Sequence, residues 1–429
     1  MPAVLAVASE PILSLADTAM IGRVGVEPLA ARALASSLFT GIYWFFSFLL
    51  FATTTLVAHH YGARDYERCG EVALHAVAVA LAGGIVVAAA SWIAAPLLLS
   101  VMGADDNVAF LGVPYFRIRM LSLPFLLLFY ATAGFLRGVH NTWLPMLIAF
   151  VVNGLYVFLD YAWIYGEFGF PALGLKGAAY ASVVSQTIGG IACVKLLFFS
   201  SYSERFGLRL QPVSLSRFVP LLRMSRELTV RTGALLFSLI FTTAMVSRMG
   251  VVQLSSHEIA MQLWLLVSYT SDGLAVAGQS LVAKYLGANQ PDKSYAIGKT
   301  LVLCGIVLGL CFTLAYLYFE LPLISLFARD SAVIATVGSI FFLLALFQPL
   351  NGMVFVLDGV LFGASDTRFL MKAMLAGAVC IFVPISWLSL RLGWDLTGVW
   401  VGFTLFMLWR LATNLTRFIG RRWYLRTAR

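Results

Sequence analysis

The chain contains one stretch of sequence twice. Asp17-Thr18-Ala19-Met20-Ile21-Gly22-Arg23-Val24-Gly25 lies over Thr242-Thr243-Ala244-Met245-Val246-Ser247-Arg248-Met249-Gly250, 225 residues later. Leu56-Val57-Ala58 with Gly62-Ala63 repeats in the same register as Leu281-Val282-Ala283 with Gly287-Ala288. Arg137-Gly138-Val139-His140-Asn141-Thr142 repeats as Phe362-Gly363-Ala364-Ser365-Asp366-Thr367. Matches in a single register mark a tandem duplication, so the fold must be two similar halves. Water is the wrong solvent for either half: the 429 residues are 61% hydrophobic and 11% charged, with a mean hydropathy of +0.90, where a soluble domain carries about 25% charged residues. A duplicated chain this apolar points to two membrane bundles facing each other across a pathway.

A hydrocarbon core about 30 Å thick needs about 20 apolar residues per helix. Against that length the first half offers spans at roughly 3–22, 29–58, 72–101, 108–136, 143–166 and 177–200, and the second at roughly 228–249, 254–283, 297–325, 333–362, 369–390 and 396–416. The expected fold is therefore an all-α integral membrane protein with twelve transmembrane helices in two pseudo-symmetric six-helix bundles. Its expected parts are an N-terminal lobe at 1–200, a cytoplasmic interfacial linker at 201–227, and a C-terminal lobe with a basic tail at 228–429.

Loop charges set the orientation. With both termini in the cytoplasm, the inside loops collect Arg64, Arg68, Arg137, Arg205, Arg209, Arg217, Arg223, Arg226, Lys284, Lys293 and Arg368, and the tail adds Arg421, Arg422, Arg426 and Arg429. The opposite loops hold fewer cations, interspersed with Asp105, Asp106, Glu167, Glu320, Asp330 and Asp395. This positive-inside bias accounts for most of the net charge of +9, which then faces anionic lipid and leaves no role for nucleic acid. No cleavable signal peptide is expected, because Glu10 and Asp17 interrupt the first apolar run.

Ionisable groups at membrane depth cost about 2.5–3.5 kcal/mol each and are functional candidates by default. Asp17 is one, on a helix that Pro11 is expected to bend, with Pro2 upstream. Asp160 is another: Asn153, Tyr156 and Asp160 fall at i, i+3 and i+7, placing amide, phenol and carboxylate on one helix face. The duplication sharpens both. Asp17 is matched by Thr242, and the helix at 369–390 has no acid between Lys372 and Arg391. A residue needed only to maintain the fold would tend to occur in both copies, so the pair is assigned to proton or cation handling. Asp272 and Asp358 are the deep acids of the second half, and either line a substrate cavity or pair with a buried cation such as Arg231. Glu258, beside His257 near the outer end of its helix, is expected to be reached by water.

Enzyme signatures are missing: no GxSxG, HExxH or Walker A sequence, and no Cys/His cluster. The five cysteines lack metal-ligand spacing, so neither a metal nor a cofactor is expected. Without a nucleotide site, any solute transport must run on an ion gradient.

These residues resemble a known family. Leu15-Ala16-Asp17-Thr18-Ala19-Met20-Ile21-Gly22 is similar to the VDTxxxG segment of multidrug and toxic compound extrusion (MATE) transporters. Tyr61-Gly62-Ala63, Leu159-Asp160 followed by Pro171-Ala172-Leu173-Gly174, and Leu357-Asp358-Gly359 fit the DinF-like branch. The resemblance implies a V-shaped pair of lobes and export of amphipathic or cationic small molecules against inward H⁺ or Na⁺. It places the coupling acids of helices 1 and 5 at Asp17 and Asp160, and the proline at which helix 1 bends at Pro2. Family positions bearing Tyr, Asn and Thr are Leu13, Tyr156 and Ser182 here, with Asn153 one turn before Tyr156 as the replacement amide. The second-lobe acids of the NorM branch fall at Leu235 and Asn351, which weakens a Na⁺ site there. The expectation is a monomeric H⁺ antiporter of the bacterial inner membrane, with Na⁺ coupling or a lipid-linked oligosaccharide flippase as alternatives.

Overall fold

The computed structural model describes residues 20–208, 215–328 and 330–424. Every regular element among them is helical. Hydrocarbon offers no hydrogen-bond partners, so each backbone N–H and C=O must be satisfied within its own segment. The first lobe comprises α1 (Val26–Phe45), α2 (Phe48–Gly62), α3 (Tyr66–Val101), α4 (Asp106–Met120), α5 (Leu123–Gly138), α6 (Trp143–Tyr165), α7 (Leu175–Phe198) and the short α8 (Ser201–Phe206). Then follow α9 (Leu215–Ser247), α10 (Val251–Gly287), α11 (Pro291–Tyr318), α12 (Glu320–Phe327), α13 (Ser331–Leu346) and α14 (Gln348–Gly363). The chain continues as α15 (Thr367–Gly377), a π-helical turn (Ala378–Phe382), α16 (Val383–Leu392) and α17 (Asp395–Ile419).

Nine helical stretches among the described residues are long and apolar enough to cross a membrane, and eleven if each of two bent pairs counts as one span. The first expected span, with Pro2, Pro11, Leu13 and Asp17, lies outside the described residues apart from its last turn. Two expected helices are broken: 108–136 is α4 and α5 meeting at 41°, and 333–362 is α13 and α14 meeting at 53°. Pro124 and Pro349 open the second member of each pair, where a missing N–H costs nothing. The expected span 297–325 ends at Tyr318, and α12 follows as a separate helix.

The duplication is visible contact by contact. Asp105 caps α4 by accepting from Val108 N at 2.8 Å, and Asp330 caps α13 by accepting from Val333 N at 3.2 Å. Cys69 Sγ donates to Val57 O at 3.5 Å where Ser294 Oγ donates to Val282 O at 3.1 Å. A Cβ at Gly84 would sit 2.7 Å from Pro124 Cα, and one at Gly309 would sit 2.6 Å from Pro349 N. A Cβ at Gly134 would meet Leu50 O at 2.9 Å, and one at Gly359 would meet Ala275 Cα at 2.6 Å. Each pair is separated by the register of the sequence repeat. α6 and α16 both end on a left-handed glycine, Gly166 (φ 78°) and Gly393 (φ 66°), a conformation that a side chain would strain.

The segment expected as a linker is partly absorbed into helices. Phe206 of α8 is 1% exposed, and its ring lies 5.2 Å from Phe135 and 5.7 Å from Tyr66. Arg205 sits over the Tyr66 ring at 5.3 Å. From Leu215 onward the same segment is α9, and the division of the chain into two compact units falls within that helix, between Ser225 and Arg226. Near the other end of the first lobe, Arg117 donates to Trp92 O at 3.0 Å and Arg119 to Tyr115 Oη at 2.6 Å, so both arginines brace neighbouring groups.

Adding a methyl where glycine lets two helices touch should destabilise both lobes alike. Gly84→Ala and Gly309→Ala are each expected to cost about 1–3 kcal/mol in thermal unfolding in detergent. Gly41→Ala, where a Cβ meets nothing within 4 Å, should be neutral or gain up to about 1 kcal/mol.

Candidate transport site

In the first lobe α6 and α7 are held together by glycine. A Cβ at Gly177 would lie 2.6 Å from Trp163 O, and one at Gly189 would lie 2.7 Å from Val152 Cγ2. Between those anchors Ser182 of α7 comes level with the turn of α6 that precedes Asp160. Asp160 is wholly buried and Ser182 is 7% exposed, while Asn153 and Tyr156 are half-buried. At the end of α6, Tyr165 Oη donates to Met20 O at 2.9 Å. That bond ties the helix of Asp160 to the residues just after Asp17.

The second lobe answers with a different arrangement. Arg231 of α9 is ion-paired with Asp358 of α14. Arg410 of α17 reaches the same carboxylate oxygen at 2.5 Å, and Asn414 Nδ2 donates to the other at 2.8 Å. Asp358 and Arg410 are 5% and 3% exposed. Asp272 of α10 lies within electrostatic range of Arg410. Of the three expected residues, Arg231 takes Asp358 as its partner. Closer to the end of the bundle, Thr367 donates to Glu227 at 2.5 Å and Arg417 to Asp366 at 2.6 Å. These bonds pin α9 and α17 to the α14–α15 corner.

Sequence reasoning missed Arg410 and Asn414. The signal for Arg410 was present, a lone cation in Leu408-Trp409-Arg410-Leu411-Ala412. At Asn351, Nδ2 donates to Gln348 Oε1 at 2.9 Å within the core. Leu235 packs against the apolar core of this lobe. Glu258 is exposed, accepts from Gln262 at 2.7 Å, and lines an open cleft of about 620 Å³ with Phe327 and Asp330.

The comparisons with known proteins agree with this architecture. The MatE family model matches residues 2–162 and 232–388, one stretch in each half. The chain belongs to the MatE family. MATE relatives include Protein DETOXIFICATION 44, chloroplastic, of Arabidopsis thaliana, 30% identical across 98% of this chain and 81% of that protein. A probable multidrug resistance protein NorM of Shewanella oneidensis is 27% identical across 86% of this chain and 80% of its own length. Among solved structures, a MATE protein in its bent conformation superposes with a TM-score of 0.89 at 21% identity, covering all of this chain and 94% of that one. A multidrug resistance MATE transporter in an outward-facing conformation gives 0.88 at 21% identity, with the same coverage. The chain is a multi-pass MATE transporter with the twelve-helix architecture of that family.

Asp358 holds two guanidinium groups at membrane depth. Asp358→Asn removes their shared counter-charge and should cost about 3–5 kcal/mol in detergent unfolding. Replacing Arg231, Asp358 and Arg410 together by Met, Leu and Met should recover most of that loss, because no unpaired charge is left behind.

Proposed function

We propose that this MATE protein exports amphipathic, cationic small molecules in exchange for inward-moving H⁺, by alternating access, with Asp17 and Asp160 as the coupling acids. The observation that carries the reading is the complete burial of Asp160 on a helix tied to the residues just after Asp17. Asp358 is committed to two arginines and an asparagine, which ties it to the second lobe's own helices. Asp160 is equally buried, has no acidic counterpart in the second copy, and sits on the helix tied to Met20.

Desolvation disfavours the charged form of a carboxyl group, and two acids near each other shift the pair further toward protonation. Protons arriving from outside neutralise the pair, a neutral pair no longer holds a cation, and substrate leaves outward. Reorientation then returns the protons to the cytoplasm. One charge crossing 100 mV contributes about 2.3 kcal/mol, enough to bias the cycle by tens-fold. Asn153, Tyr156 and Ser182 supply neutral polar contacts beside the acid. The Arg231–Asp358–Arg410 cluster, with Asp272 near it, keeps the second lobe's own helices in place. The reading places the protein as a monomer in a bacterial inner membrane with both termini in the cytoplasm.

Efflux of a cationic dye from proteoliposomes under an imposed pH gradient, with and without Na⁺, tests it. Asp17→Asn and Asp160→Asn should each lower gradient-driven efflux by more than about ten-fold while leaving thermal stability near wild type. Export that follows only a Na⁺ gradient, or that survives both substitutions, contradicts the proton assignment.

A further inference from the structure

Two neighbouring spans of the first lobe are interrupted in the same way. Between α1 and α2, Phe46 N donates to Tyr43 O at 2.9 Å and Ser47 N to Trp44 O at 3.0 Å. Between α4 and α5, Leu121 N donates to Ile118 O and Ser122 N to Arg119 O, both at 3.0 Å. Each junction is a tight turn of i to i+3 bonds set into a longer helix, a feature that often marks a hinge. The two junctions meet at α3. A Cβ at Gly83 would lie 3.2 Å from Phe46 Cε1, and one at Gly84 would lie 2.7 Å from Pro124 Cα. Gly83-Gly84 is itself a pair at which a helix bends easily.

The junctions divide these spans into two layers. On one side α1 packs on α4: a Cβ at Gly112 would be 3.7 Å from Ala31 Cβ, and the Arg119 guanidinium lies 4.7 Å from the centre of the Phe39 ring. On the other side α2 packs on α5, where a Cβ at Gly134 would be 2.9 Å from Leu50 O and one at Gly138 would be 2.6 Å from Val57 Cβ.

The second lobe has the same spans without the same freedom. α10 runs unbroken from Val251 to Gly287, through Ser271-Asp272, the counterparts of Phe46-Ser47. Gly83-Gly84 is replaced by Leu308-Gly309. The break between α13 and α14 remains, but it is clasped. Pro124 and Pro349 have no N–H, so the carbonyls four residues earlier, Met120 O and Ala345 O, lose their helical partners. One residue before those, both lobes supply a side chain: Ser122 Oγ donates to Arg119 O at 2.6 Å, and Gln348 Nε2 to Leu344 O at 2.7 Å. At Ala345 O the second lobe adds Thr313 Oγ1 of α11, which donates at 2.8 Å. The first lobe has Ala88 at that position, which has no donor to offer Met120 O.

We infer that the first lobe carries a transverse hinge through Phe46-Ser47, Gly83-Gly84 and Leu121-Ser122, about which α1 and α4 tilt together against α2 and α5. The second lobe is locked at the matching position by Thr313 and by an unbroken α10. The use of the hinge in transport rests on the coupling role proposed for this lobe. Met20, bonded to Tyr165 at the end of the Asp160 helix, leads directly into α1, so a change at the acids reaches the hinged layer.

Hydrogen–deuterium exchange of the intact protein in nanodiscs tests the hinge, because local opening sets the exchange rate of bonded amides. Amides of 118–126 should exchange several-fold faster than those of 343–351. Ala88→Thr, which gives the first lobe the second lobe's donor, should slow 118–126 several-fold. Thr313→Ala should speed 343–351 by a similar factor. Equal exchange of the two segments in the wild type overturns the hinge, whatever the variants do. So does wild-type exchange in both variants. In proteoliposomes Ala88→Thr should lower pH-driven dye efflux several-fold, yet keep the proton release on substrate binding that Asp160→Asn removes. Efflux at the wild-type rate despite slowed exchange overturns the hinge's part in transport. The exchange contrast is read without gradient or substrate, so it can fail while the proton reading stands, and the reverse.

Discussion

Lipid chains are as apolar as leucine, so burying leucine against a neighbouring helix gains little in a bilayer, and helices must be held by close contact instead. In this protein that contact is made at small residues. Gly134 and Gly359 let α5 and α14 touch the backbones of α2 and α10, while Gly84 and Gly309 let α3 and α11 lie against the prolines that open α5 and α14. Gly305 and Gly352 face one another so closely that neither has room for a side chain. The lobes are copies at the level of contacts because the same constraint acts on the same residues in each.

On that shared frame the lobes diverge in their polar content. The first keeps a buried acid on α6. The second gathers its deep charges into one cluster. There Asp358 neutralises Arg231 and Arg410, and Thr367–Glu227 and Arg417–Asp366 fasten the corner. A lobe whose deepest ion cluster, Asp358 with Arg231 and Arg410, ties three helices together suits a scaffold, and the proposal gives the switch to the lobe of Asp160. The proposed division of labour is the simplest use of this asymmetry.

Much of this was legible in the sequence. The 225-residue register gave the two halves, apolar run length gave the spans, and depth in those runs picked out Asp160, Asp358 and Arg231. The breaks between α4 and α5 and between α13 and α14 were not legible, because each pair reads as one apolar run and the bend falls at its proline-led junction. The pairing of Arg231 with Asp358 rather than Asp272 depends on which face of α9 meets α14, and no spacing rule within one helix supplies that. Arg410 was visible as a charge, but its partner lies 52 residues away on another helix.

The central claim is that the acid kept in one lobe exchanges a proton for substrate. Its most direct test is the number of protons released when a cationic substrate binds the purified protein in lightly buffered, Na⁺-free detergent solution, read with a pH-sensitive dye. The account predicts release of about one to two protons per substrate bound in the wild type, and none in Asp160→Asn at saturating substrate. Equal release from wild type and Asp160→Asn would contradict it and move the coupling group elsewhere.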